Sequence, residues 1–289
     1  MTKMQDFIAG RTPPELYEAY LTPGFFTPFA EEMAALAKPG DRCLDLACGT
    51  GAVSRKLAER FGDRITINAV DIAPAMLEVA KKQSSACSID YQIAAADDLP
   101  FNDDSFDILF CQQGFQFFPH KEKAMAEIRR VLKPGGRAAI SVWRPAEEAS
   151  PVFAAFEKAV GRHLGNDLLP LGPFAFGKAG RLKTLAKGAR LKIDALETLT
   201  LPTTLPAIED FVLFDVLFLG RPAADGALQP VLEPDDPDGD RLIALMVEDM
   251  TQALQEFVGA DGRLHAPSST HYLLARKTPK GGLLRRLLS

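Results

Sequence analysis

Between residues 42 and 143 the chain sets five short apolar runs against stretches of helical spacing, and that alternation leaves few folds open. The runs at 42–47, 65–71, 88–94, 106–112 and 137–143 are short, bounded by turn residues and rich in apolar side chains, as buried parallel strands are. Segments 53–62, 74–83 and 121–132 carry apolar residues three and four apart, the spacing of one helix face. Pro39-Gly40-Asp41 and Lys133-Pro134-Gly135-Gly136 mark turns before the first and last runs. Strands and helices taking turns at this spacing build βαβ units, so the sequence predicts an α/β fold with a doubly wound, mostly parallel sheet.

Outside this stretch the rhythm loosens. Pro13, Pro14, Pro23 and Pro28 break the first forty residues into short helices, a cap and not a domain. After Trp143 the pattern predicts helices at 151–164 and 178–187, a strand at 189–201, helices at 206–219 and 240–258, and a last strand at 271–277. A loop rich in proline and acid separates the last two helices. The expected organisation is an N-terminal helical cap at 1–38, an α/β core at 39–204, a helical lid insertion at 205–264, the last core strand at 265–278 and a basic tail at 279–289.

A length of 289 residues implies one large α/β domain with additions or two domains, and 47% apolar with 25% charged residues excludes disorder and collagen-like repeats. The net charge of -5 offers no general attraction to phosphate backbones, so no nucleic-acid partner is expected. No run approaches the roughly 18 apolar residues of a membrane helix, and MTKMQDFIAG lacks the basic-then-apolar order of a secretory leader; the expectation is a cytoplasmic protein without an integral membrane segment. Cys43, Cys48, Cys87 and Cys111 lack metal-clip or disulfide-scaffold spacing and read as free buried thiols, with no metal site. The aromatic content is skewed, with 19 Phe against 4 Tyr and 1 Trp, so nearly every ring lacks a polar handle.

The chemistry-bearing stretch is Leu44-Asp45-Leu46-Ala47-Cys48-Gly49-Thr50-Gly51, where a buried strand runs into glycines and then a helix. Glycines there let backbone approach a ligand, and a helix N-terminus aims unpaired N–H groups at a carboxylate or phosphate. Asp71, 26 residues after Asp45, closes the next strand, where a carboxylate accepts both ribose hydroxyls of a nucleotide-like ligand. A dinucleotide site wants G-x-G-x-x-G; here Ala47 stands at the first glycine, Asp45 adds an acid beside the turn, and Ser54 stands at the third. An acid there repels pyrophosphate and suits an α-ammonium, which points to S-adenosylmethionine.

Residues 44–51, VDIAPAML at 70–77, DDLPFNDDSFDILFCQQGFQFF at 97–118 and EIRRVLKPGGRAAISVW at 127–143 together resemble the class I S-adenosylmethionine-dependent methyltransferases, within them the type 11 group that includes ubiquinone/menaquinone C-methyltransferases. The resemblance covers roughly residues 15–145 and implies a Rossmann-like, seven-stranded sheet with an antiparallel last strand and a helical lid. It implies that Asp45, with the backbone of Ala47 and Gly49, holds the methionine part of the cofactor, with Thr50 and Gly51 at the helix start. Asp71 would take the ribose hydroxyls, Ile72 and Met76 would flank the adenine, and the adenine segment runs through Ala96, Asp97 and Leu99. Relatives commonly read Gly-Asp-Ala before Leu-Pro-Phe; that register puts Ala95 at the acid, so either Asp97 or the backbone of Ala96 and Asp97 meets the adenine amino group. Gln112 and Gln113 occupy the position facing the methyl-donating sulfur, where their amides orient a substrate hydroxyl or satisfy loop backbone. Tyr17, Tyr20, Phe25 and Phe26 match the region that folds over the cofactor, Tyr17 at the cofactor and the other three toward substrate.

Methyl transfer from a sulfonium asks the protein for positioning and exclusion of water, and for a base only if the acceptor loses a proton. His120 opens a helix after Phe118-Pro119 and reads as a cap, so no catalytic residue is named. Phe118, Phe214 and Phe218 join the candidate substrate residues; rings at helical spacing are either plain core or pocket lining. The leading expectation is an S-adenosylmethionine-dependent methyltransferase, releasing S-adenosylhomocysteine and acting on a small, largely apolar or aromatic acceptor. The alternatives are a non-methylating use of the same fold, as an assembly factor or cyclase, and a nicotinamide oxidoreductase, which the turn spacing disfavours.

Overall fold

The computed structural model describes residues 1–169, 172–222 and 228–279, so the basic tail expected at 279–289 lies, except for Pro279, outside the described residues. In chain order α1 (Lys3–Ile8), α2 (Pro13–Tyr20), a π-helical turn Thr22–Phe26 and α3 (Thr27–Ala34) precede β1 (Arg42–Leu46). There follow α4 (Ala52–Phe61), β2 (Thr66–Asp71), α5 (Pro74–Lys82), β3 (Ile89–Ile93), β4 (Phe106–Gln112), α6 (Lys121–Val131) and β5 (Leu132–Trp143). The remainder is α7 (Ala146–Ala149), α8 (Pro151–His163), α9 (Ala179–Gly188), β6 (Leu191–Leu205), α10 (Ile208–Val216), β7 (Gly220–Pro222), β8 (Leu228–Pro230), α11 (Gly239–Leu254) and β9 (Leu264–Lys277).

Seven strands form one sheet in the order β3-β2-β1-β4-β5-β9-β6. β1 pairs in parallel with β2 and with β4, so Asp45 lies opposite Ala69 on one side and Phe110 on the other. β3 on β2 and β5 on β4 are parallel too, with Asp71 opposite Ile93 and Gln112 opposite Ser141. The order runs outward in both directions from the β1–β4 pair, which makes the carboxyl ends of those strands the topological switch point, the place where open α/β sheets bind ligands.

The chain divides into two compact units. Of the described residues, one comprises 29–142, 178–199 and 270–279. Its core sets Cys43, Ile67, Ile108 and Phe110 of the strands against Met33 of α3 and Val53, Leu57 and Phe61 of α4. Burying each such Leu, Ile or Phe side chain contributes on the order of 1.5–3 kcal/mol. The buried Lys277 ammonium at the end of β9 donates to the Arg130 carbonyl at 3.1 Å, to the Leu132 carbonyl at 2.7 Å and to the Asp104 carboxylate, tying the strand to the end of α6 and the start of β5.

The other unit comprises 1–28, 143–177 and 200–269. Its core is a run of rings. Tyr17 stacks on Phe26 at 5.0 Å between centroids, Phe26 meets Phe25 at 5.0 Å, and Phe25 stacks on Trp143 at 4.9 Å and tilts against Phe153 at 5.3 Å. Phe153 continues to Phe174 at 4.8 Å and Phe211 at 5.6 Å, and Phe211 ends edge-on against Phe156 at 5.5 Å. The phenylalanine skew of the sequence is thus spent largely on rings packing rings.

Several boundaries differ from the sequence expectation; β5 begins at Leu132, so Lys133-Pro134-Gly135-Gly136, expected as a turn, lies within the strand. β9 begins at Leu264, not 271, and β6 runs to Leu205, not 201. The added residues carry hydroxyls that bond one another instead of alternating apolar and polar: Thr200 with Ser269 at 2.8 Å, Thr203 with Ser268 at 2.8 Å and with the Ala266 carbonyl at 2.9 Å. Within the stretch expected to be a loop, β7 and β8 form a short antiparallel hairpin, Arg221 opposite Gln229.

Candidate cofactor site

β1 delivers the chain to its carboxyl end at the switch point, and the next five residues make a turn that regular backbone does not allow. Ala47 has φ +56°, Gly49 +54° and Gly51 +89°, all left-handed. Glycine enters that region without strain, whereas Ala47 holds it at a cost of about 1 kcal/mol. Gly51 is also the N-cap of α4, and a side chain there would meet the Tyr91 hydroxyl at 2.6 Å, while at Gly49 the same space is open. The helix therefore begins directly on the loop, with its first N–H groups turned toward it.

Two acids brace the turn, in different ways. Asp45 is buried; its Oδ2 accepts the Ser54 N–H at 3.0 Å and the Ser54 hydroxyl at 2.6 Å, so it ties strand β1 to the first turn of α4. Burial pushes its carboxyl up to about 6, against the opposing pull of the Ser54 bonds. Asp71 ends β2 at partial exposure, Oδ2 accepting the Gly49 N–H at 2.8 Å and Oδ1 the Ala73 N–H at 2.9 Å. Each carboxylate oxygen has a second lone pair, so Asp71 is oriented by backbone on one side and able to accept on the other. Beyond it Ile72 and Ile93, at the ends of neighbouring strands, are 69% and 61% exposed. Met76 lies in the first turn of α5.

The third wall comes from β4. Gln113 follows the strand with φ +47°, only 5% exposed, and neither its amide oxygen nor its amide nitrogen has a hydrogen-bond partner among the described residues. Its backbone N–H donates to the Ser141 carbonyl at 3.1 Å, which fixes the strained conformation. Gly114 presses this segment onto the glycine turn, since a methyl group there would come within 2.5 Å of the Ala47 Cβ. Strain and an unpartnered buried amide on one residue make Gln113 a candidate binding position.

The segment expected to meet the adenine is anchored from α6. Leu99 donates its N–H to Glu127 Oε2 at 2.9 Å, and its carbonyl accepts from Arg130 Nη2 at 3.0 Å. The Arg130 bonds hold the Glu127 carboxyl below its usual range. This leaves Ala96 and Asp97, both partly exposed, inside the turn closed by the Ala95–Asp98 bridge. Gln112 ends β4 beside Ser141, and Thr50 is buried in the loop.

One unit thus brings together Asp45, Ala47, Gly49, Thr50, Gly51, Asp71, Ile72, Met76, Ala96, Asp97, Leu99, Gln112 and Gln113, and Phe118 lies there too, edge-on to Phe115 at 5.3 Å. Tyr17, Tyr20, Phe25, Phe26, Phe214 and Phe218 belong to the other unit. There Tyr20 leaves its neighbours and packs on Phe7 at 5.1 Å with the Arg11 guanidinium over its ring, while Phe214 is buried against a Phe218 that is 47% exposed. His120 stands at the N-cap of α6, but its side chain makes no cap bond, a correction to the cap expected there. Gly114, Ser54 and the Glu127–Arg130 pair were not expected to shape the site; the Gln-Gln-Gly and Glu-x-x-Arg spacings carry them, but neither says which loop it will brace.

The methyltransferase-domain family, type 11, matches residues 44–140. The 2-phytyl-1,4-naphthoquinone methyltransferase of Synechococcus elongatus is 40% identical over 127 residues, 42% of this chain and 53% of its own length. The ubiquinone/menaquinone biosynthesis C-methyltransferase of Cupriavidus taiwanensis is 32% identical over 171 residues, 57% of this chain and 66% of its own. The chain therefore spans about half the length of the first of these relatives. Among solved structures, the YcgJ protein of Bacillus subtilis has a TM-score of 0.52 at 19% identity, covering 88% of this chain and 98% of that one. A phosphoethanolamine N-methyltransferase 2 of Haemonchus contortus, solved with phosphomonomethylethanolamine and S-adenosylhomocysteine, has a TM-score of 0.53 at 18% identity, covering 96% of this chain and 61% of that one. At these identities the structural likeness is one of fold. Residues 44–140, with their left-handed glycine turn and the strand-end carboxylate of Asp71, are a methyltransferase domain of the class I, S-adenosylmethionine-dependent family.

Proposed function

We propose that this chain transfers a methyl group from S-adenosylmethionine to a small, largely apolar or aromatic acceptor. The observation that carries the cofactor reading is the buried Gln113 amide, without a partner among the described residues and pressed by Gly114 onto the turn that Asp71 braces. The residues fit the cofactor's chemistry. Asp71 has acceptor capacity left for a pair of hydroxyls, and the turn offers N–H groups and open space at Gly49. Gln113 offers one donor pair and one acceptor to the carboxylate and ammonium of an amino acid. The exposed side chains of Ile72 and Ile93 offer an apolar edge to a flat base. Asp45, held by Ser54, keeps the loop and α4 in register, and its other oxygen remains for the ammonium.

The chemistry S-adenosylmethionine supplies when bound is a methyl group already activated on a positively charged sulfur. The protein's part is to hold the acceptor in line and keep water out. The acceptor reading is supported by the likeness to the two quinone methyltransferases and by the ring-rich core of the second unit. No helix among the described residues is long and apolar enough to cross a membrane.

Calorimetric titration with S-adenosylhomocysteine, followed by transfer of labelled methyl to a panel of hydroxylated aromatic rings, tests the proposal. Micromolar binding with a labelled apolar product is expected. Binding without any methylated product favours a non-methylating use of the fold, and no binding at millimolar ligand removes the cofactor reading.

A further inference from the structure

The segment around α9 carries Lys178, Arg181, Lys183, Lys187, Arg190 and Lys192, with no acid before Asp194. In a chain of net charge -5 this leaves the remainder more acidic than the whole, so positive charge is concentrated on one stretch. The helix turns that stretch into a face. Leu182 and Ala186 are buried beneath it, whereas Lys178, Arg181, Lys183, Lys187 and Arg190 are exposed, as is Lys192 at the start of β6. Gly180, Thr184 and Gly188 follow at one-turn intervals on the exposed side; both glycines border open space, and the Thr184 hydroxyl donates to the Gly180 carbonyl at 3.0 Å. The surface between the cations is therefore low, with no amide side chain to read a shaped ligand.

These charges are not neutralised within the chain. Among the described residues Lys178, Lys183, Lys187, Arg190 and Lys192 have no acid within ion-pair distance, whereas Lys3, Lys56, Lys133 and Lys277 each have one. α9 packs on α6, which adds charge of the same sign: Lys121 and Lys123 flank Glu122. Burial and the nearby Arg181 guanidinium hold the Lys121 ammonium below its ordinary range. Like charges kept together raise the energy of the free protein, and an anionic surface lowers it again. The Lys121 ammonium also donates to the Phe118 carbonyl at 2.6 Å, which sets Phe117, 59% exposed, beside the patch. All of these residues belong to one compact unit.

We infer that this face docks on an anionic lipid surface, the cations of α9 lying over the headgroup phosphates and Phe117 entering at the margin. The inference goes beyond methyl transfer and depends on neither the cofactor nor the acceptor. Charge complementarity carries the choice of partner. A fluid layer of dense negative charge lets each flexible side chain find a phosphate without matched geometry, and clusters of roughly four to eight Lys and Arg on one helix bind such layers. An exposed ring beside them supplies the second, apolar signal that stable attachment takes. A nucleic acid suits the face less, because it lacks the amides that contact base edges and the rest of the chain repels phosphate.

Sedimentation of the full chain with vesicles is the test, with phosphatidylcholine alone set against phosphatidylcholine containing about 30% phosphatidylglycerol. The wild type should bind the anionic vesicles and not the neutral ones, and should lose about tenfold in affinity between roughly 50 and 500 mM salt. Lys183→Glu combined with Lys187→Glu should cost at least about tenfold at low salt, while Lys183→Arg combined with Lys187→Arg should stay within about twofold. Phe117→Ala should cost about threefold, and more of the binding that survives high salt, since screening does not touch an apolar contact. Every substituted side chain is exposed, so melting temperatures should match the wild type, and the basic tail is the same in all the proteins compared. Absence of binding to anionic vesicles at low salt, equal binding to neutral ones, or equal binding by the wild type and either the glutamate or the alanine variant overturns the inference. So does tighter binding to duplex DNA than to anionic vesicles at the same salt. No cofactor is present in these measurements, so failure of the cofactor reading and failure of this one give different results.

Discussion

The Asp71 carboxylate accepts the amide of Gly49 at 2.8 Å, joining the end of one strand to the middle of the turn that leaves its neighbour. One side chain therefore both shapes the turn and presents acceptors outward from it. Asp71→Ala should weaken S-adenosylhomocysteine binding about 10- to 100-fold, the range for losing charge-assisted bonds, while Asp71→Asn should lose less because its oxygen can still accept from Gly49. Calorimetry measures both, and equal affinity in wild type and alanine variant would exclude a ribose-holding role.

The approach of Gly114 to Ala47 makes a second test with an internal control. Gly114→Ala introduces a carbon 2.5 Å from the Ala47 Cβ and should lower cofactor affinity about tenfold by pushing the turn away. Ala47→Gly removes the opposing atom and a left-handed alanine together, so the double variant should recover most of the loss. Additive losses in the double variant would show that the two segments are not coupled.

Lys277 is nearly enclosed and serves three acceptors, so Lys277→Met should destabilise by about 2 kcal/mol; the loss is moderated because the Arg130 carbonyl keeps the Asp104 N–H and the Asp104 carboxylate is exposed. Urea denaturation checks this. Asp104 itself sits at φ +58°, and Asp104→Gly, which relieves that strain while removing the charge, should cost less.

Two buried acids give stability a pH dependence of known sign. Free aspartates titrate near 3.9, whereas burial raises Asp45 to about 6 and Asp215 to about 8, so over those windows the folded chain holds protons that the unfolded chain has lost. Stability from these groups is therefore greatest at low pH and declines as pH rises, through about 6 for the first and about 8 for the second, then levels off. Asp45→Asn should flatten the urea midpoint below pH 6 and Asp215→Asn between 6 and 8. Unchanged slopes in both variants would show that neither acid is protonated in the fold.

Much of the sheet was legible because its local signals agree. β1, β2 and β4 are short apolar runs with a turn residue at the edge, and Gly49 and Gly51 follow β1 where the backbone turns left-handed. The extension of β9 to Leu264 was not legible, because Thr203 and Ser268 satisfy each other across the pair and leave no apolar alternation to read. Gln113 was visible as a position but not as a strained, unpartnered amide, a property that arises only when Ser141 and Gly114 fix its backbone. Asp215 was hidden by its spacing, since an acid in an apolar helix reads as the solvent face until tertiary packing closes over it.

The four thiols carry a practical consequence. Cys43, Cys48 and Cys111 are buried and free, and burial raises all three away from the reactive thiolate, Cys43 to about 12; Cys87, between α5 and β3, is partly exposed. A maleimide dye added to the native protein should therefore attach once, at Cys87, giving a uniformly tagged molecule without a single engineered residue.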